Sequence, residues 1–164
     1  MTFPLKNYKY EIPTGNHFGA FGTTRKFDIH TGVDLYCEEH ADVVAIEEGE
    51  IIAIEWFTGE VIDMPWWNNT KAIAVKGKSG VINYGEVVPH EDLKVGDKVT
   101  EGQLLGWVTA VLKVDKGKVP STSMLHLELY VEYDGDWVLW ELDTPQPKRL
   151  LDPTNLLIKS LNNE

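Results

Sequence analysis

What the 164-residue chain has little of excludes several classes of protein. It contains one cysteine, Cys37, so it can form neither an internal disulfide framework nor a zinc site built from several thiolates. No run approaches the ~18 apolar residues that a membrane-spanning helix needs, and the N-terminal segment contains no apolar signal-peptide core. We therefore expect no membrane partner. We expect a protein that is cytoplasmic as written, or one that is phage-encoded and released by lysis, unless a signal peptide was trimmed.

Basic residues are scarce as well. The chain has 15 Lys and Arg against 26 Asp and Glu, which gives a formal net charge of −11. Nucleic acids and anionic membranes attract proteins through positive patches, so this balance argues against both as partners. With 43% hydrophobic and 25% charged residues, the composition is that of an ordinary folded protein. The length predicts one domain over residues 1–164 with one sizeable core.

A sustained apolar period of 3.6 residues is also missing, and short β-branched runs between glycines take its place. The turn sequence Gly-Lys-Ser-Gly at 77–80 lies between two such runs and predicts a hairpin. An Asp-Gly turn predicts a second hairpin, between strands 127–133 and 137–140. The only helix candidates are short, at 150–151 and 154–157. These patterns predict an all-β, single-domain fold of the sandwich or barrel type.

Two segments interrupt this pattern and predict long loops. Residues 56–70 contain Gly, Pro and the pair Trp66-Trp67, and residues 142–150 contain two prolines. The tryptophan pair is compatible with an exposed platform for a sugar or a peptide. A loop that its own aromatic rings anchor on the core is the favoured interpretation.

One constellation of residue types points to chemistry. The sequence from His30 to Asp34, His-Thr-Gly-Val-Asp, places an imidazole and a carboxylate four residues apart, on one face of an extended segment. Gly32 lies between them on that face and leaves room for an ion. His126, at the start of a predicted strand, supplies a third ligand. His, Asp and His leave a tetrahedral metal one open position for water, which is typical of hydrolytic zinc sites. A turn with a surface histidine is the alternative.

Other residue types that often carry chemistry have simpler explanations here. Cys37 is predicted to be a half-buried core residue, with a thiol nucleophile as the minor alternative. His17, His40 and His90 are predicted to lie on exposed loops, although His90 follows closely enough on Glu86 to approach the same site.

The order of several motifs resembles peptidase family M23, the zinc endopeptidases of the lysostaphin and LytM type. The resemblance covers about residues 15–158 and implies an M23/LytM-like antiparallel β-sandwich, similar to a duplicated hybrid motif. Residues 56–70 and 142–150 are then elaborations of that core. The implied ligand is a peptidoglycan peptide or another peptide. The matching segments are His30–Leu35, the two following strands, Tyr84-Gly85-Glu86, Val95–Gly106, Met124–Glu128 and Asp152–Leu157.

The resemblance also implies a ligand set. It assigns His30, Asp34 and His126 to one Zn²⁺ ion with water in the fourth position. This donor set also suits manganese, iron or nickel. Family members use two further histidines as catalytic groups, and here those positions are Glu86 and Met124.

Because of these two replacements, two functional interpretations are possible, an inactive protein and an active enzyme. A methionine thioether neither donates a hydrogen bond nor carries a proton at neutral pH, and a general acid or base contributes typically 10²–10⁴-fold to a rate. We therefore predict a zinc-binding protein that is a weak or inactive metallopeptidase with a binding or structural role. The alternative is an active zinc endopeptidase of peptidoglycan cross-links, with Glu86 as general base. Glu128 is the second candidate residue of the catalytic site. Its simpler interpretation is a residue that orients a metal ligand.

A third interpretation rests on the Val95–Gly106 segment, which biotinyl and lipoyl carrier domains share. Such a carrier needs a modifiable lysine in a tight hairpin, usually beside methionine, and no lysine of the sequence stands beside a methionine.

Overall fold

The computed structural model describes residues 1–114 and 123–164. It confirms an all-β, antiparallel, single-domain fold with one short C-terminal helix. In the described residues, no helix is long and apolar enough to cross a membrane. The nine strands are β1 Val33–Tyr36, β2 Asp42–Val44, β3 Gly49–Thr58, β4 Thr70–Gly77, β5 Gly80–Pro89, β6 Lys98–Val99, β7 Leu104–Val108, β8 Met124–Tyr130 and β9 Leu150–Leu151, with a 3-10 turn at Glu60–Ile62 and helix α1 at Thr154–Leu161.

The strands form one sheet in which β8 lies between β1 and β5, followed by β4, β3 and β6. Strand β7 pairs with β5 and β2, and β9 pairs with β8. Long-range pairing therefore brings β1, from the first quarter of the chain, against β8, from the last quarter.

Successive side chains of β8 point to opposite faces of the sheet. Leu125, Leu127 and Leu129 point into the main hydrophobic core, together with Ile73 and Ile82 of the neighbouring strands. The even-numbered residues of β8 lie on the other face, where Tyr130 joins a smaller cluster with Trp140. Polar residues of β8 are thus confined to the face away from the main core.

The N-terminal segment belongs to the same core, although the family resemblance begins only near residue 15. Phe3 and Leu5 are buried in the main cluster. The backbone around them is paired, because the Val44 N–H donates to the Pro4 carbonyl at 2.9 Å. Cys37 is buried in this cluster as predicted, and burial raises the pKa of its thiol to about 12.

The first predicted hairpin is confirmed, and Lys78-Ser79 joins β4 to β5. Gly80 adopts a φ of 125°, and a Cβ there would lie 2.4 Å from the carbonyl oxygen of Tyr130. Only glycine fits this position, both for its backbone conformation and for the close approach of β8.

The second predicted hairpin is wrong. Strand β8 ends at Tyr130, and its partner on that side is β9, with Leu129 opposite Leu151. The backbone of 137–140 bonds elsewhere instead: the Val138 N–H donates to the Tyr130 hydroxyl, and the Trp140 carbonyl accepts from Ile29. Residues 150–151 are therefore strand, whereas the helix predicted at 154–157 is confirmed. The first predicted loop is shorter than expected, because β3 runs to Thr58 and β4 begins at Thr70. The second is longer, because the described residues between the end of β8 at Tyr130 and the start of β9 at Leu150 form no strand or helix.

Candidate metal centre

Strand pairing brings the three predicted ligands together. Asp34 of β1 and His126 of β8 are directly opposite in the register, and His30 precedes β1. Asp34 Oδ1 lies 2.8 Å from His126 Nδ1 and 3.1 Å from His30 Nε2, and the two ring nitrogens are 3.2 Å apart. All three side chains are buried, and they form a group that could hold a metal ion.

Gly32 has a different role from the one predicted. The 30–34 segment is not one extended strand, because it bends at Gly32 before β1 begins. A Cβ on Gly32 would lie 2.5 Å from the Leu127 carbonyl oxygen and 3.0 Å from the ring of His126. The space that glycine leaves is therefore filled by β8 and by a ligand side chain, and it is not space for an ion.

Hydrogen bonds behind the rings fix which nitrogen of each histidine faces the centre. His30 Nδ1 lies 2.9 Å from the Ala20 carbonyl oxygen, and His126 Nε2 lies 2.9 Å from Glu128 Oε1. In a neutral ring that donates its N–H outward along this bond, the lone pair lies on His30 Nε2 or on His126 Nδ1. With one carboxylate oxygen, these lone pairs are a donor set that suits zinc.

Without a metal, a proton stabilises the same cluster. Burial disfavours the charged form of His126, but hydrogen bonds to Asp34 and Glu128 outweigh burial and hold the pKa of His126 well above its ordinary value. Burial alone would raise the pKa of Asp34, yet its contacts with His126 and with His30 lower that pKa below its usual range. Metal binding must therefore displace a proton from His126.

Glu128 uses both of its oxygens to accept hydrogen bonds. Besides His126 Nε2, Oε1 accepts from the Thr31 hydroxyl at 2.7 Å. Oε2 accepts from Asn83 Nδ2 at 3.1 Å and from the Tyr130 hydroxyl at 2.7 Å. Although burial alone would raise it, these donors, His126 above all, lower the pKa of Glu128. The geometry makes Glu128 a fixed partner of His126.

Glu86 reaches the centre from a β-bulge. Lys71 pairs with Val87 and Ala72 with Gly85, so Glu86 is an extra residue without a partner on β4. Its φ is 64°, a left-handed conformation that costs a non-glycine residue of order 1 kcal/mol. Oε2 is buried and has no hydrogen-bond partner in the described part of the chain. Burial, and then the charge of Asp34, raise the pKa of Glu86 to about 8.

Met124 begins β8 and lies two residues before His126, hence on the same face of the strand. It is opposite Tyr36 in the register with β1 and is partly buried. The position that resembles a catalytic histidine of the family therefore lies beside the centre and carries a thioether.

The other histidines do not join the centre. His17 and His40 are exposed, and His90 is half-buried with its ring 5.5 Å from that of Trp107. The two tryptophans of the Trp66-Trp67 pair differ in exposure, because Trp66 is 62% exposed whereas Trp67 is half-buried. Their ring centres are 6.1 Å apart in an edge-to-face arrangement.

Sequence reasoning missed the residues that hold the ligands in place, namely Arg25, Thr31, Asn83 and Tyr130. Asn83 had a visible signal, since it is a lone amide inside the apolar run of β5, and it lies opposite Glu128 in the register. Arg25 donates to Asp34 Oδ2 at 2.8 Å. Its only signal was rarity, because the chain contains two arginines.

Together, the fold and the site define an antiparallel β domain with a buried candidate metal centre of two histidines and one aspartate. A model of peptidase family M23 matches residues 28–138, more than half of the chain. The chain therefore belongs to peptidase family M23, a family of metallopeptidases.

Solved structures support the same fold. The chain is similar to CbpA from L. salivarius REN, at 17% identity and a TM-score of 0.61, with 99% of each chain covered. It is similar to the catalytic domain of the antimicrobial peptidase lysostaphin from Staphylococcus simulans, at 20% identity and a TM-score of 0.55, over 86% of this chain and 90% of that one. The catalytic domain of the prophage-encoded M23 protein EnpA from Enterococcus faecalis aligns at 20% identity and a TM-score of 0.52, over 82% and 85%. Among curated proteins, none matches.

Proposed function

We propose that this chain is a zinc-binding M23 domain with weak or no peptidase activity, which binds a peptide such as a peptidoglycan cross-link. The observation that carries the proposal is Met124, which lies on the face of β8 that also carries His126. Family resemblance places a catalytic histidine there. A thioether neither donates a hydrogen bond nor transfers a proton, so one of the two expected proton-handling groups is absent.

The donor set supports zinc as the bound metal. His30 Nε2, Asp34 Oδ1 and His126 Nδ1 converge, and each ligand is oriented by a further hydrogen bond. A zinc ion held by three protein ligands acts as a Lewis acid and keeps a position for water or a substrate oxygen. The burial of the three ligand side chains limits the access of bulk water to the centre.

The proposal is tested by metal content and by turnover on purified cell wall. Elemental analysis is expected to find one zinc per chain, lost in His30→Ala. Release of peptides from cross-linked peptidoglycan is expected to stay near background for the wild type. Restoring both family histidines, with Glu86→His and Met124→His together, is expected to raise turnover about 100-fold or more. Robust cleavage by the wild type that His30→Ala abolishes contradicts the proposal.

A second candidate function is active hydrolysis with Glu86 as general base. The observation that favours it is Glu86 Oε2, which is buried beside the centre with no hydrogen-bond partner in the described residues. In its ionised form Glu86 has a free acceptor that can take a proton from water, as glutamate does in other zinc hydrolases.

Glu86→Gln separates the two functions. It keeps the size of the side chain and removes the base, so an active enzyme loses about 100-fold or more of its turnover. Glu91→Gln, at an exposed site on the following loop, is the matched control. Turnover that is equal in both variants and the wild type rules out Glu86 as the base.

A further inference from the structure

Arg25 is one of two arginines in a chain with a net charge of −11, and it contacts a metal ligand. Its Nη2 donates to Asp34 Oδ2 at 2.8 Å and to the Phe18 carbonyl oxygen at 2.9 Å. The guanidinium carbon lies 4.2 Å from the centre of the Phe18 ring. Two hydrogen bonds and a ring contact thus hold the guanidinium in one place.

The two oxygens of Asp34 have different surroundings as a result. Oδ1 faces both histidine nitrogens, whereas Oδ2 is occupied by Arg25. A carboxylate without such a partner can bind a metal through one oxygen or through both, and the second mode fills an additional coordination position.

We propose that Arg25 is a positioning residue of the metal centre, which holds Asp34 so that only Oδ1 is presented to the metal. The inference deepens the proposed zinc site and rests on it. Its consequence is a four-coordinate metal, with the fourth position left to water or to a substrate atom.

The loop that carries Arg25 is built around the same two ligands. The Gly19 carbonyl accepts from the Asp34 N–H at 2.9 Å, and the Ala20 carbonyl accepts from His30 Nδ1 at 2.9 Å. With the Phe18 carbonyl on Arg25, three consecutive carbonyls serve the ligands or their partner. A Cβ on Gly19 would lie 3.2 Å from the Cβ of Asp34, so the loop packs directly on β1. Arg25 is therefore held by the protein before any metal binds.

Cobalt spectroscopy and zinc affinity test this role in the full chain. Tetrahedral Co²⁺ absorbs visible light more strongly than five-coordinate Co²⁺, so the spectrum reports whether Asp34 has turned to bind with both oxygens. In Arg25→Gln we expect weaker Co²⁺ bands, and a Zn²⁺ affinity about 10–100-fold lower by chelator competition. Arg25→Lys keeps the charge without the planar fork, so an intermediate effect is expected.

Two controls separate positioning from charge and from folding. Lys148→Gln removes an exposed cation from the 142–150 segment, and Lys26→Gln removes the neighbouring cation, whose Nζ lies 5.2 Å from the exposed Phe27 ring. Both are expected to keep the wild-type spectrum and affinity. Circular dichroism of the metal-free variants checks folding, and Arg25→Lys carries the test if Arg25→Gln does not fold.

The outcomes are distinct. If the wild type binds metal, and both Arg25 variants keep its Co²⁺ spectrum and a Zn²⁺ affinity within twofold of it, this inference alone is overturned. Tighter zinc binding in Arg25→Gln also overturns it, because Arg25 then acts only as a repelling charge. A wild type that takes up neither metal overturns the proposed zinc site and this inference with it.

Discussion

Replacing Glu86 with glutamine in the metal-free protein tests whether this carboxyl group is forced into the centre at a cost to stability. The pKa of Glu86 is raised from 4.5 to about 8 by burial and by the charge of Asp34. A raised acid binds its proton more tightly in the folded state. Folding is therefore favoured while Glu86 is protonated, and this contribution is lost as the pH rises from about 4.5 to about 8.

The structure sets the size of the effect. Each pKa unit is worth about 1.4 kcal/mol, so an ionised Glu86 destabilises the fold by at most about 5 kcal/mol above pH 8. The residue as a whole is only half-buried, so water reaches part of it. We expect this access to reduce the measured gain in Glu86→Gln to about 2–3 kcal/mol at pH 9, and to about 1 kcal/mol or less at pH 5.

Urea unfolding of chelator-treated protein, followed by tryptophan fluorescence between pH 5 and pH 9, measures this difference. Glutamine keeps the left-handed backbone of the bulge, so strain is equal in the two proteins. Deprotonation of His126 also lowers stability as the pH rises, but it does so in both proteins, so the difference removes most of its contribution. Glu91→Gln is the exposed control. A difference between wild type and Glu86→Gln that does not change with pH would refute the argument.

Three further predictions concern positions around the centre and the thiol. Glu128→Gln keeps the shape but not the charge that holds His126, so zinc affinity in chelator competition is expected to fall about 10–100-fold; Glu128→Ala should also lower the free energy of unfolding by about 3–5 kcal/mol, because it leaves buried donors unpaired. Gly32→Ala places a Cβ 2.5 Å from the Leu127 carbonyl oxygen, and we expect a loss of about 1–3 kcal/mol in urea unfolding together with weaker zinc binding. Cys37, with its thiol pKa raised to about 12, should resist iodoacetamide at pH 8 in the folded protein and react after unfolding in urea; rapid alkylation of the native protein would contradict its burial.

Local sequence signals were sufficient for the parts of the fold that local chemistry determines. The turn at 77–80 was predictable because glycines bracket it, and the motif from His30 to Asp34 because its residue types are rare at that spacing. The Asp-Gly signal after β8 failed for a long-range reason. The backbone of 137–140 bonds to the Tyr130 side chain and to Ile29, and β9 takes the place that the hairpin would have filled.

The rest of the site depends on the register in which the strands pair, and a short stretch of sequence does not determine that register. Asn83 meets Glu128 only because β5 and β8 pair in one particular alignment. Glu86 lies on a bulge of β5, near enough to Asp34 for its charge to act on Glu86, and Gly85 inside the strand was the one local signal of that bulge. Arg25 reaches Asp34 through the fold of a loop, so the sequence could name the ligands but not the groups that orient them.

The pairing of Asp34 with His126 joins positions 92 residues apart. The complete ligand set therefore does not exist until β1 has paired with β8. This pairing joins residues that are far apart in the sequence, and such contacts form slowly. A metal ion held there closes a loop as long as those closed by many disulfides, for which the entropic stabilisation is about 4–5 kcal/mol. In a chain with a single cysteine, a metal ion bound there would be the cross-link of the domain, and its uptake would report that β1 and β8 have paired.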